Sequence, residues 1–402
     1  MKHTKSWSLL LAAALLLGAC GGGDPDVPGS GSPSGAPTTK GAFKAVVSFG
    51  DSLSDVGTYS VVTSLAGDGS APYFGGEFTT NGVRRSNSIG TVWVENLAAS
   101  LNLRVTPAEV GFNKFSVPCP AATVPDLVGT CTGYGQGGSR VTNPKGIGQN
   151  DDGSGALTVP MVTQIANHLK RFTSFKDTDL ILVYGGNNDV LIQFDAFAKA
   201  ATLAQTDVAA KRITADQAKV AQFNAQTTAQ VEIKKAAQEL AGYIRTKILA
   251  NGGKYVAVMT LNDIADTPFG KKIVPASVRP VLTDLSRTFN LWLRDGLSGQ
   301  PVQLIDTFAM FKETYAHPET FGFTNVTDAA CDVEKIKAVT RGGVTDGSSL
   351  FCNDTPDPRI NGMTAGADSN TWFFADSVHP TTGGHKAISN AFITQLKSFG
   401  WL

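Results

Sequence analysis

Four short stretches of the chain carry residue types that acyl chemistry needs. The first, Phe49-Gly50-Asp51-Ser52-Leu53-Ser54-Asp55, directly follows the apolar run Ala45-Val46-Val47-Ser48-Phe49. A serine at the carboxyl end of a buried parallel strand, entering a helix, sits where open α/β sheets bind ligands. Its own backbone N–H is then free to face an anion. Aspartate and serine are also favoured helix caps, and the tetrapeptide alone reads equally as one. The second stretch is Asp376-Ser377-Val378-His379-Pro380. A hydroxyl nucleophile needs a histidine base, and the base needs a carboxylate to fix its tautomer and steady the imidazolium. Asp376 and His379 can meet on a tight turn, and Pro380 biases His379 towards extended backbone outside the final helix. By itself this pair reads more simply as a loop histidine beside an incidental aspartate.

The third stretch, Gly185-Gly186-Asn187-Asn188-Asp189, follows the run ending at Tyr184. An Asn amide at a strand end can donate to a tetrahedral oxyanion, although such Gly/Asn runs are often plain turns. In the fourth, Gln136-Gly137-Gly138-Ser139, a glycine can bring its N–H close to a substrate with no Cβ in the way. The overlapping Gly133-Tyr134-Gly135-Gln136-Gly137-Gly138 matches G-x-G-x-x-G. It lacks a preceding apolar strand, and Asn143-Pro144 stands where a helix should start, so no nucleotide is expected.

Together, in this order, the four stretches resemble the blocks of the SGNH/GDSL serine hydrolases. Gly50-Asp51-Ser52-Leu53 matches block one, Gly138 block two, Gly186-Asn187-Asn188-Asp189 block three and Asp376-Ser377-Val378-His379 block five. The likeness runs from about Phe43 to the C-terminus and extends to Phe78-Thr79-Thr80-Asn81-Gly82 and Leu261-Asn262-Asp263-Ile264. The resemblance implies a three-layer α/β/α sandwich with a central parallel sheet (flavodoxin-like) and hydrolysis of a carboxylic ester without a cofactor. Ser52 would be the nucleophile, His379 the base and Asp376 its orienting partner. The backbone N–H groups of Ser52 and Gly138 and the Asn188 amide would form the oxyanion hole; Gly137, adjacent, competes with Gly138. Two departures bear on substrate shape: an apparent insertion at 83–90 and an Ala/Gln/Lys-rich stretch at 194–228, expected to be a helical lid or lateral arm.

The elements needed to position these residues are legible too. Besides the first run, Leu180-Ile181-Leu182-Val183-Tyr184, Tyr255-Val256-Ala257-Val258-Met259 and Val302-Gln303-Leu304-Ile305-Asp306 read as buried parallel strands. Ile233, Ala237, Leu240, Ile244 and Ile248 share one helical face, stopped by Asn251-Gly252-Gly253. Leu282, Leu285, Phe289 and Trp292 mark another helix, and Ile388, Phe392 and Leu396 a last one. Alternation of strands and helices is the signature of an α/β layered fold. Residues 103–160 are rich in Gly, Pro, Asn and Asp and read as long loops near the active face.

Composition bounds the remainder. The 402 residues carry no net charge, which gives no electrostatic reason to expect nucleic acid. Lys2, His3 and Lys5 precede a Leu/Ala run too short to span a membrane, which reads as an export signal over residues 1–19. It ends in Leu17-Gly18-Ala19-Cys20, which resembles a bacterial lipobox. Cys20 would then be the lipidated first residue, with Gly21 directing the protein to the outer membrane of a Gram-negative-type bacterium. Residues 20–40 would be a flexible tether reaching roughly 25 Å, and residues 41–402 the hydrolase domain. The other cysteines, Cys119, Cys131, Cys331 and Cys352, allow three pairings. Cys119–Cys131 with Cys331–Cys352 is preferred because it closes two short loops. The absence of C-x-x-C spacing and of H-E-x-x-H speaks against zinc. His168 and His317 read as bland helix and loop residues, His385 as a cap or packing residue, and Arg84-Arg85 as a solvated loop. Three functions follow as expectations: an esterase for lipid or small-acyl esters, a carbohydrate O-acetylesterase with the same chemistry, or an idle surface-binding module.

Overall fold

A computed structural model describes residues 35–63, 73–74, 76–83 and 90–402. The export signal, Cys20 and Arg84-Arg85 lie outside the described residues. The four apolar runs form a parallel sheet: β1 (Ala45–Gly50), β2 (Asp179–Tyr184), β3 (Tyr255–Met259) and β4 (Gln303–Ile305), in that spatial order. Register runs from Ala45 opposite Asp179 to Gly50 opposite Tyr184. On the other edge of β1, Ser48 N–H donates to the Thr132 carbonyl at 3.0 Å and Tyr134 N–H to the Ser48 carbonyl at 2.8 Å. That short parallel pairing delivers residues 136–138 to the same end of the sheet as Ser52.

Burial on both faces explains why β1 to β3 lack polar alternation, and helices supply the cover. On one face lie α1 (Trp93–Ser100) and the last helix, α7 (Thr382–Ser398). The Trp93 ring packs 4.8 Å from Phe392 and 6.4 Å from Tyr184. On the other face lie α2 (Met161–Phe172), α3 (Asn187–Ala209), α4 (Ala215–Tyr243) and α5 (Arg279–Gly296). In α2, Met161, Gln164, Ile165 and His168 are buried at helical spacing. Beyond β4, α6 (Thr307–Ala316) is capped by Asp306, whose carboxylate accepts from Ala309 N–H at 3.0 Å. The protein thus has the α/β layering and parallel sheet expected.

The 194–228 stretch is helical, but its elements overrun it on both sides. It belongs to an antiparallel pair, α3 and α4, that starts at the site itself with Asn187. Thr214 opens α4 with a capping box to Gln217, and Gly252, at φ +95°, closes the turn that follows. The distal seam of the pair is built from small buried residues, Ala201, Ala204 and Ala218. Residues 36–40, read from composition as the end of the tether, instead pack on the body. Trp401 Nε1 donates to the Pro37 carbonyl at 2.6 Å and the Tyr255 hydroxyl to the Thr39 carbonyl at 3.3 Å. Composition misplaced the boundary because two aromatic donors far along the chain hold these carbonyls. Both preferred disulfides, Cys119–Cys131 and Cys331–Cys352, are present. Among the described residues no helix is long and apolar enough to cross a membrane.

Candidate active site

Ser52 sits directly beyond β1, in a single 3-10 turn (Ser52–Ser54) where the sequence had implied entry into a helix. Asp51 caps the turn, its Oδ1 accepting from Leu53 N–H at 3.2 Å. Asp55 ends it, and this carboxylate organises three backbone donors: Gly57 at 3.0 Å, Thr58 at 2.7 Å and Gly137 at 2.9 Å. Asp55 is therefore a positioning acceptor. It also distinguishes the adjacent glycines, because the Gly137 N–H is taken while the Gly138 N–H has no hydrogen-bond partner among the described residues. The Ser52 N–H is likewise uncommitted. Gly138 has φ +78°, and a Cβ there would run into the Ile147 carbonyl. Both facts demand glycine.

Asn188 lies in the first turn of α3 and is 6% exposed. Its Nδ2 donates to the Ser139 carbonyl at 2.8 Å, so the amide reaches the residue after Gly138 with one of its two hydrogens. Asn187 turns towards Asp51, with Nδ2 3.4 Å from Oδ2. Asp189 accepts from Arg140 Nε at 2.9 Å and Val141 N–H at 3.0 Å, fixing the loop that follows Gly138.

From the far end of the chain, a loop after the short strand Trp372–Phe374 carries Asp376 and His379. The His379 Nε2 stands 2.8 Å from Ser52 Oγ, and Nδ1 lies 2.9 and 2.8 Å from the two Asp376 oxygens. A ring protonated on Nδ1 donates to Asp376 and leaves the Nε2 lone pair facing the serine hydroxyl. Asp376 also accepts from the N–H groups of Val378 at 2.9 Å, His379 at 2.8 Å and Ser349 at 2.8 Å. Burial opposes its ionisation, but the His379 charge and these hydrogen bonds outweigh burial and hold the carboxyl below the usual range. The opposite balance holds at Asp51 and Asp55. There burial dominates the opposing hydrogen bonds and pushes both carboxyls up to about 6.

Three residues that brace this arrangement were not singled out by sequence. Gln164 of α2, 1% exposed, grips the residue two before Ser52 from both sides. Its Oε1 accepts from Gly50 N–H at 2.9 Å and its Nε2 donates to the Gly50 carbonyl at 2.8 Å. Ser349 lends its N–H to Asp376. The Phe78 ring packs 4.8 Å from the His379 ring; the residue fell in a family-like stretch but had no role assigned. Its carbonyl accepts from His385 Nε2 at 3.3 Å. His385 is fully buried in α7, and burial pushes its pKa down to about 3, so it packs as a neutral ring. His168 is buried against Phe175, with ring centroids 4.3 Å apart. His317 is exposed beside Glu313. Neither approaches the site.

Residues 46–392 match the model of the GDSL-like lipase/acylhydrolase family. The chain is 23% identical to a phosphatidylcholine-sterol acyltransferase of Aeromonas hydrophila over 390 residues, covering 90% of this chain and 93% of that protein. It is 32% identical over 152 residues to esterase EstA of Pseudomonas aeruginosa, covering 37% of this chain and 20% of the esterase. EstA of Pseudomonas putida matches to the same extent. The family match spans most of the chain, β1 and the Ser52 turn through the Asp376-His379 loop, and on that ground the chain belongs to the GDSL-like lipase/acylhydrolase family, hydrolases that act on esters.

Proposed function

We propose that the protein is a serine esterase working through an acyl-enzyme on Ser52. The observation that carries the reading is the 2.8 Å approach of His379 Nε2 to Ser52 Oγ, with Asp376 on the opposite ring nitrogen. In this reading His379 takes the hydroxyl proton as Oγ attacks the ester carbonyl, and Asp376 steadies the imidazolium. The tetrahedral oxyanion is held by the free N–H groups of Ser52 and Gly138 and by the second hydrogen of the Asn188 amide. Collapse expels the alcohol, which takes the proton from His379. Water then attacks the acyl-enzyme with His379 again as base, releasing the acid. The substrate is a lipid or small-acyl ester. Residues 1–20 would export the chain and anchor it to the outer membrane through lipid on Cys20. A Cys20→Ser variant of the full chain should then fail to incorporate labelled palmitate.

The test is hydrolysis of p-nitrophenyl esters of increasing acyl length, alongside Ser52→Ala. Cleavage by the parent with loss in the variant is the expected result, and chain-length preference separates lipid from acetyl esters. Equal background rates in both proteins would overturn the serine mechanism.

A further inference from the structure

A cavity of about 410 Å³ lies on the flank of the sheet, between the edge segment around Tyr134 and the outer half of α2. Its polar lining is Tyr134, Gln136, Gln164, Asn167, Lys170 and Arg171, with Glu109 at one side. Neither Ser52 nor His379 contributes to it.

Three features make it more than a surface dent. Tyr134 is 5% exposed and its hydroxyl has no hydrogen-bond partner among the described residues. A buried phenol without a partner is uncommon. Burial pushes this phenol well above its ordinary range, so it stays a donor at every working pH. Next, neither Lys170 nor Arg171 is ion-paired among the described residues; the Arg171 guanidinium lies 5.5 Å over the Phe172 ring. Cations in the last turn of a helix are favoured by its dipole alone. Here, however, they line a cavity whose wall also contains Tyr134, its unpartnered hydroxyl buried within that wall. Finally, Glu109, the one carboxylate in the lining, is engaged with Gln136, whose Nε2 lies 3.1 Å from Glu109 Oε2. Two unpaired cations and one phenol donor therefore outnumber a single carboxylate. Ala108, Pro118 and Val159 make the rest apolar. An anionic head on a short apolar body fits such a lining, and a guanidinium matches a carboxylate best.

We propose that this cavity binds a small amphiphilic carboxylate, of the kind ester hydrolysis releases, and that occupancy is felt at Ser52 through Gln136 and Gln164. The binding site stands on the cavity alone; naming its ligand as a reaction product rests on the esterase reading. The route to Ser52 is short. Gln136 N–H donates to the Gly50 carbonyl at 3.3 Å and its side-chain oxygen accepts from Val159 N–H at 2.9 Å. The residue after Gln136 is Gly137, held by Asp55. Gln164, in the same lining, clamps Gly50 directly. A ligand that shifts either glutamine shifts both the nucleophile turn and the loop of Gly138.

The experiment titrates octanoate into the full-length protein by calorimetry, with octanol as the uncharged control. Saturable binding is expected, unchanged by Ser52→Ala and weakened about tenfold or more by the double variant Lys170→Ala/Arg171→Ala, since charge-assisted hydrogen bonds are the strong ones. Tyr134→Phe, which keeps the ring, should weaken it severalfold. Octanol should bind about tenfold more weakly than octanoate. Equal affinity in the double variant, or equal affinity for octanol, would overturn the site. In hydrolysis assays octanoate should change kcat of the parent but not of the double variant. An unchanged kcat at saturation, or purely competitive inhibition that the double variant retains, would overturn the coupling. If the parent hydrolyses no ester, the calorimetric arm still decides the site.

Discussion

Replacing Gln164 with leucine isolates a positioning residue that touches no reacting atom. Its amide makes four hydrogen bonds: with both backbone groups of Gly50, with the Val159 carbonyl at 2.9 Å and with the Ser139 hydroxyl at 3.3 Å. Leucine fills a similar volume, so little cavity forms, and the cost lies in the groups left behind. The Gly50 N–H loses its one partner among the described residues and costs about 1–3 kcal/mol as a buried unpaired donor. The carbonyls lose less, since Gly50 O keeps Gln136 N–H at 3.3 Å and Val159 O keeps the Ser139 hydroxyl at 2.9 Å. The sum, about 2–3 kcal/mol, is a sizeable part of an ordinary folding stability but leaves the protein folded. The same lost grip frees the end of β1 two residues before Ser52. A displacement of about an ångström at a nucleophile costs about a hundredfold in rate. Gln164→Leu should therefore lower kcat on a p-nitrophenyl ester about ten- to a hundredfold, with KM within about twofold, and lower Tm by several degrees. Loss of Tm with kcat intact would show Gln164 to be a core residue only and refute the reasoning.

Asp376→Asn should cost about 10⁴ in kcat, as the amide favours the wrong ring tautomer; a loss below about tenfold would show that Asp376 does not orient His379. In the oxyanion loop, Asn188→Ala should lower kcat about a hundred- to a thousandfold while Asn187→Ala costs far less, and the reverse order would exchange their roles. Reduction of Cys331–Cys352, which closes a 21-residue loop, removes about 3 kcal/mol and loosens the loop that lends the Ser349 N–H to Asp376. Activity should fall on adding dithiothreitol, and unchanged activity after confirmed reduction counts against that brace. For pH, Asp51 and Asp55 are raised to about 6 and Glu95 to about 7, in each case mainly by burial. The folded state then binds more protons than the unfolded one across this range, so their contribution to stability falls as pH rises from about 4 to about 7. Asp376, lowered, acts oppositely in more acidic solution, and His385 and His168, lowered by burial to about 3 and about 4, act oppositely up to about pH 6.5. The four raised carboxyls, Glu77 included, outnumber these two histidines, so the net contribution still falls. Calorimetry should show Tm falling between about pH 5 and about pH 7; a rising Tm would mean these carboxyls ionise in the fold without penalty.

Legibility in the sequence followed how local the physics was. β1 to β3 were readable because burial on both faces leaves continuous apolar runs, and α4, α5 and α7 because one face of each is apolar at helical spacing. Asp376 and His379, an incidental-looking pair when read alone, became legible only in order with the other three stretches, although their partnership closes within a single turn. Gln164 was invisible for the opposite reason. A lone glutamine in an amphipathic helix looks solvated, and only the packing of α2 against the end of β1, across a separation of 114 residues, turns its amide towards Gly50. The choice between Gly137 and Gly138 was equally closed to sequence, because it depends on which N–H the Asp55 carboxylate captures. The tether boundary failed likewise, since residues 36–40 are ordered by Trp401 and Tyr255.

One line of contacts ties the site to the loops around it. Asn81 is fully buried, and its Nδ2 donates to the carbonyls of Glu77 at 2.9 Å, Thr79 at 3.0 Å and Ser349 at 3.1 Å. Ser349 passes the contact on through its N–H to Asp376, which holds His379, which meets Ser52. The same segment carries Phe78 against His379. The histidine is thus fixed from its carboxylate side and its ring face by residues that all lean on Asn81. An Asn81→Leu variant strands the Glu77 N–H, which is paired with Oδ1 at 3.1 Å, and removes three donations at once. Since Ser52, Gly138 and Asn188 are held by other elements, the oxyanion donors should survive. The variant should therefore lose kcat through the base alone. A fluorophosphonate, whose capture by Ser52 needs that base, should label it slowly. If it labels at the parent rate while ester hydrolysis collapses, His379 still activates Ser52, and the line from Asn81 to His379 does not carry the histidine's position.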